Sequence, residues 1–283
     1  MPAGLIWNAK RRRLNKMRHN YKSLFLIFLL LPFTGKLSAG ELVTFPSEDG
    51  LLITADVHAP HKNSAAPIIV LFHQAGSSRG EYAEIAPWLN TLGYNCIAVD
   101  QRSGGSMNGI QNETAIRAEN ENRPTGYISA LPDIKAALVY ARRHYGKRGV
   151  IAWGSSYSAA LVLKVAGDSP ALVDGVLAFS PGEYFERAGK SATWIQDSAN
   201  NIKVPVFITS ARNEADQWSG IFSAVASSRK VAFIPETAGR HGSRALWRKY
   251  PDSQIYRDEA KNFLQRHFPA AFSLQSAGKP SGY

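Results

Sequence analysis

Ser156, Glu214 and His241 are the residues of this sequence whose types and order suit nucleophilic catalysis. A serine hydroxyl is a weak nucleophile. It needs a base within hydrogen-bond reach and a third group to orient that base. Ser156 lies in Gly154-Ser155-Ser156-Tyr157-Ser158, between the apolar runs 149–153 and 159–165. The first run predicts a short buried strand and the second a helix. A serine on such a strand-to-helix turn, with small residues two positions away on each side, has the form of a nucleophile elbow. Bulky flanks would clash at so tight a turn. The turn also aims the first helical amides at the serine oxygen, where they can stabilise an oxyanion. The usual last residue of the pattern is glycine, and here it is Ser158. The competing reading is a serine-rich helix N-cap, with Ser155 or Ser156 only satisfying orphan amides. Ser155 is expected to point away from the site.

A base and an acid must follow the nucleophile in the chain. Two histidines do. His267 falls on a terminal helix and reads as a solvated helix residue. His241 lies in the glycine-flanked stretch Thr237–Ser243 after the last strand, where a loop can bring an imidazole over the sheet. Glu214 and Asp216 both follow the strand 204–209. Glu214 is the preferred acid. Asp216 is the alternative, although an acid at a helix start is also a good cap. Glu183 is a third candidate.

These groups need a frame. Runs 41–45 and 51–58 predict an antiparallel hairpin. Buried strands are expected at 67–73, 95–100, 149–153, 172–179 and 204–209, with a short one at 230–234. Helices are expected at 81–92, 128–144, 159–165, 216–227 and 252–267. Strands alternating with helices predict an α/β fold, a mostly parallel sheet with helices on both faces. Functional groups collect at the carboxyl ends of strands in such sheets. Residues 106–127 are polar, lack periodicity and read as a flexible loop near the site mouth. Within them, Asn112-Glu113-Thr114 is a glycosylation sequon. Arg117 and Arg123 could meet an anionic substrate, although solvated surface charge is the plainer reading.

With the opening hairpin, His73-Gln74-Ala75-Gly76, the strand end Asp100-Gln101-Arg102, the elbow and an acid and histidine in order, residues 41–268 resemble an α/β-hydrolase. The resemblance is to the compact dienelactone-hydrolase-like branch. It implies a single-domain α/β-hydrolase fold over 40–283, Ser/Cys–Asp/Glu–His chain order and no cofactor. Dienelactone hydrolases carry a cysteine nucleophile where this chain has serine. The resemblance places the oxyanion-hole amides at Tyr157 and Ala75, with Gln74 as the alternative to Ala75 because it replaces the usual glycine. His73, Asp100 and Arg102 read as structural. Trp194 and Trp218 are candidates for the acyl pocket or for the core.

The N-terminal 39 residues read as a secretory signal peptide: basic from Lys10 to Lys22, apolar from Leu24 to Leu31, then small residues ending Ser38-Ala39-Gly40. Met17 also begins a leader of more usual length. The apolar core is short for a membrane span, so membrane contact is expected only if this segment stays uncleaved as an anchor. The leader holds eight of the chain's 33 Lys and Arg. The remaining 25 face 22 Asp and Glu, a net of +3, which does not argue for nucleic-acid binding. Cys96 is the one cysteine, so no internal disulfide forms, and no Cys/His spacing suits a metal. The expected protein is an exported, periplasmic or secreted, serine hydrolase that cleaves small carboxylic esters through an acyl-enzyme. A small serine peptidase and a non-catalytic binding protein of the same fold are the alternatives.

Overall fold

The computed structural model describes residues 40–61 and 66–270. The expected leader at 1–39 lies outside the described residues. Strand β1 (Glu41–Pro46) pairs antiparallel with β2 (Leu52–His58), forming the expected hairpin. Then follow β3 (Ile68–Phe72), β4 (Asn95–Val99), β7 (Val150–Ser155), β8 (Gly175–Phe179), β9 (Val206–Thr209) and β10 (Lys230–Phe233). With the hairpin they make an eight-stranded sheet in the order β1-β2-β4-β3-β7-β8-β9-β10. β2 meets β4 antiparallel, and every pairing from β4 to β10 is parallel. Parallel strands buried on both faces read as continuous apolar runs, as Ile68-Ile69-Val70-Leu71-Phe72 does. Ile68, Val70 and Phe72 pack on one face with helices α3 (Leu131–Tyr145), α4 (Tyr157–Asp168) and α6 (Ala215–Ala224). Ile69 and Leu71 pack on the other with α1 (Ile85–Thr91) and α7 (Ser253–His267). In α7 the buried Tyr256, Ala260, Phe263 and Leu264 follow helical spacing, which explains why an otherwise polar segment docks. Cys96 lies in the middle of β4, fully buried, with burial pushing its thiol pKa up.

Two segments differ from expectation. Residues 81–92 are not one helix but a 3-10 turn, Arg79–Tyr82, followed by α1. Pro87 stands in the first turn of α1. It has no N–H to donate and would clash with a helical carbonyl four residues earlier, so the helix begins just before it. Residues 106–127 are not a loop. They form a small hairpin, β5 (Ser106–Met107) with β6 (Ile110–Gln111), and helix α2 (Glu113–Asn120). The buried face of α2 consists of Thr114, Ala115 and Ala118, so small that it leaves little hydrophobic signal. Asn112 caps α2: its Oδ1 accepts from Ala115 N at 2.8 Å. At 1% exposure Asn112 belongs to the interior, so the sequon is closed in the folded chain. Arg117 donates to the Leu52 carbonyl, and Arg123 donates to Glu121 and to the Asp49 carbonyl. Both arginines fasten this segment to the hairpin.

Arg102 is buried against Asp133, at 2.6 Å, and Asp49, at 2.6 Å, and Arg79 reaches Asp100 at 2.6 Å. Removing one partner of a buried pair strands the other charge at a cost of about 3–5 kcal/mol. His73 directly follows β3 and is fully buried. Its Nδ1 donates to the Gln74 carbonyl at 2.8 Å, and its Nε2 accepts from Gln101 N at 3.1 Å. Burial lowers its pKa to about 4, despite those hydrogen bonds. The folded chain therefore refuses a proton that the unfolded chain accepts below pH 6.5. The stabilising effect is whole above pH 6.5 and is lost as pH falls toward 4, up to ~3 kcal/mol. Urea midpoints of the wild type should fall between pH 7 and pH 5, and His73→Gln should show a shallower fall. Equal slopes would remove His73 from the acid response.

Candidate active site

The elbow forms because β7 runs into α4 with one residue between them. That residue, Ser156, has φ 60° and ψ −123°, a strained conformation for a residue with a side chain. It is held by Ser156 N donating to Phe179 O of β8 at 2.7 Å. Gly154 is required by contact: a Cβ there would come within 2.5 Å of the Ala159 backbone. Ser158 stands in place of the usual glycine because its hydroxyl is used. It donates to Phe72 O at 2.7 Å and accepts from Ser155 N at 2.9 Å, tying the elbow to β3.

Glu214 ends a 3-10 turn, Arg212–Glu214, just past β9. Its Oε1 accepts from His241 Nδ1 at 2.7 Å. Its Oε2 accepts from Ser180 Oγ at 2.7 Å and from Ala211 N at 3.3 Å. Burial pushes the Glu214 carboxyl up, but the His241 and Ser180 hydrogen bonds outweigh it, and the net shift is downward. An ionised carboxylate only accepts, so the Nδ1 proton stays on His241, and Nε2 of the neutral ring keeps its lone pair. Asp216 is exposed on the first turn of α6, away from this contact. Glu183 accepts from Ile195 N and Gln196 N and so caps α5 (Trp194–Ala199).

Ser180 belongs to the candidate site through its hydrogen bonds and carries no sequence signal. It directly follows β8 at φ 57°, is fully buried, and accepts from Gly242 N at 2.9 Å while donating to Glu214. One hydroxyl thus holds the acid and the loop bearing His241. No sequence pattern marks a serine before a proline for that role. Ser243 N donates to Ser155 Oγ at 2.8 Å, fixing the same loop beside the elbow. Gly242 has φ 69°, and a Cβ there would meet Ser155 Oγ at 2.5 Å. These ties fasten the His241 loop beside the elbow, and the His241 and Ser156 side chains make no hydrogen bond with each other. Such bonds are often long without substrate. The Tyr184 hydroxyl, which donates to Ser180 O at 2.8 Å, is the polar neighbour of the Ser156 hydroxyl.

Of the candidate oxyanion donors, Gln74 N is engaged, donating to Glu81 Oε2 at 2.9 Å. The Ala75 and Tyr157 amides have no acceptor among the described residues. Tyr157 N is one of the helix-end amides that lack an intrahelical partner. Gln74 is therefore set aside in favour of Ala75. Trp218 is not a pocket residue: it is 2% exposed and donates to Ser210 Oγ at 2.8 Å in the core. Trp194 packs edge-on against Phe185, with Lys164 over its ring. A hollow of about 640 Å³ opens beside His241, Arg212, Asn213 and Arg240. No helix among the described residues is long and apolar enough to cross a membrane, and none of their His, Cys, Asp and Glu residues cluster as a metal site.

Residues 63–184 match the family described as Hydrolase_4, serine aminopeptidase, S33. That stretch includes Ser156 and ends before Glu214 and His241. A comparison with curated proteins finds no match. Among solved structures, the esterase Pf2001 of Pyrococcus furiosus superposes with a TM-score of 0.63 at 18% identity, over 82% of this chain and 94% of that one. The dienelactone hydrolase of Anabaena variabilis gives 0.61 at 15%, over 81% and 98%. Est1E of Butyrivibrio proteoclasticus, solved with ferulic acid, gives 0.60 at 13%, over 80% and 98%.

Proposed function

We propose that this chain, an α/β-hydrolase by fold, is an exported serine hydrolase that cleaves small carboxylic esters. The observation that carries the reading is the 2.7 Å contact between Glu214 and His241, on a loop fastened beside the elbow. In this scheme His241 Nε2 takes the Ser156 proton as Oγ adds to the ester carbonyl. Tyr157 N and Ala75 N receive the developing oxyanion. The tetrahedral intermediate expels the alcohol, which takes the proton from His241 and leaves an acyl-Ser156. Water, deprotonated by His241, adds to the acyl carbon and releases the carboxylic acid and free Ser156. Glu214 keeps Nδ1 protonated and steadies the imidazolium at each transfer.

Export rests on the order of basic, apolar and small residues at 10–40. One experiment tests both parts. A tagged fluorophosphonate applied to fractionated cells should label this protein in the periplasm or medium, at the mass of residues 40–283. A cytosolic labelled band would sink the export reading, and no labelling of the folded protein would sink the serine hydrolase reading. The S33 aminopeptidase match favours a second reading, a small peptidase. Turnover of aminoacyl amides at rates rivalling those of p-nitrophenyl esters would decide for it.

A further inference from the structure

Glu81 is a fully buried carboxylate that the scheme above does not use. It sits in the 3-10 turn Arg79–Tyr82, behind the site. Burying such a group is costly unless it is fully hydrogen-bonded. Its Oε2 accepts from Gln74 N at 2.9 Å, the amide just before Ala75. Its Oε1 accepts from Ser155 Oγ at 2.7 Å, the residue just before Ser156. Ser155 Oγ in turn accepts from Ser243 N at 2.8 Å, two residues after His241. The Glu81 main chain takes part too, its carbonyl accepting from Trp247 Nε1 at 2.9 Å. Burial pushes the Glu81 carboxyl up, and the bonds from Gln74 and Ser155 and the Arg244 charge pull against it.

The pattern is specific. The three segments joined here are separate in sequence: the turn after β3, the elbow after β7 and the loop after β10. Each of the three bonds made by the Glu81 carboxylate and the Ser155 hydroxyl falls on a residue one or two positions from a proposed reacting group, and none falls on a reacting group itself. We propose that Glu81 is a positioning residue that locks the oxyanion turn, the elbow and the histidine loop in register. The proposal rests on the serine hydrolase reading. Two donors converge on the two carboxylate oxygens, one on each. Glutamine has a single amide oxygen, so it satisfies one donor and turns its NH₂ toward the other. Displacing a catalytic group by an ångström costs up to about 10²-fold.

The test uses the processed protein with Glu81→Gln, Ser155→Ala and the double variant, read three ways. With p-nitrophenyl acetate, Glu81→Gln should lower kcat roughly 10–10²-fold and leave KM nearly unchanged, with phenylboronic acid bound correspondingly more weakly. Ser155→Ala, which cuts the elbow and histidine-loop links but leaves the bond from Gln74 N to Glu81 in place, should lower kcat by less. The double variant should be little worse than Glu81→Gln alone, because both substitutions break one network. Hydrogen exchange needs no substrate: the peptides carrying Gln74 and Ser243 should exchange faster in folded Glu81→Gln. Wild-type kcat and wild-type exchange in that variant would overturn the proposal, as would losses that multiply in the double variant. Should Glu81→Gln fail to fold, Ser155→Ala decides: lowered kcat with faster exchange at Ser243 supports the tie, and wild-type behaviour overturns it. A wild type inert to esters and fluorophosphonate, with exchange still faster in Glu81→Gln, would remove the hydrolase reading and leave the tie standing.

Discussion

Ser156→Ala yields a folded protein with no burst of p-nitrophenol and a kcat lowered on the order of 10⁶-fold, the scale on which a triad fails as a unit. Only one oxygen is removed. Alanine carries the same positive-φ strain at this turn, and the bond from Ser156 N to Phe179 O is untouched, so the melting temperature should barely move. His241→Ala should cost a comparable amount, and the double variant should be little worse than either. Stopped-flow release of p-nitrophenol measures all three. Normal turnover by folded Ser156→Ala would reduce the elbow to a helix cap and end the mechanism proposed here.

Glu214→Gln should keep the fold and lower kcat roughly 10³–10⁴-fold. The carboxylate accepts from His241 on one oxygen and from Ser180 on the other. An amide cannot accept on both sides. If its NH₂ faces Nδ1, the ring moves its proton to Nε2, where the lone pair is needed. Asp216→Asn, on the exposed first turn of α6, should change kcat by less than about twofold, as a surface substitution does. Steady-state kinetics on the two variants give the ranking. The reverse order would move the acid to Asp216.

The frame was legible because its signals are local. A parallel strand buried on both faces must be a continuous apolar run, and Ile68–Phe72 is one. The elbow turn was legible because backbone contact at Gly154 restricts residue size, and His241 stands out as a candidate because only two histidines follow Ser156. Helix α2 was hidden because it buries threonine and alanine rather than leucine. The first turn of the expected helix 81–92 is a 3-10 turn because Pro87 keeps an α-helix from running back through it. Ser180, Ser155 and Glu81 were invisible for another reason. Their contacts include partners far off in the chain, Glu214 34 residues from Ser180, Glu81 74 from Ser155 and Ser243 88 from Ser155, and no periodicity encodes such distances.

Cys96 gives the protein a built-in reporter. Its sulfur lies fully buried in β4, with both neighbouring strands in place and its thiolate disfavoured. An alkylating reagent reaches it only when the core layer between β4 and α1 opens. Fraying at the termini or motion of the histidine loop leaves it silent. The pace of its modification in dilute denaturant is therefore a clock for opening of that core layer, readable by mass without altering a residue. With no second cysteine to pair with it, the clock runs free of disulfide exchange within the chain.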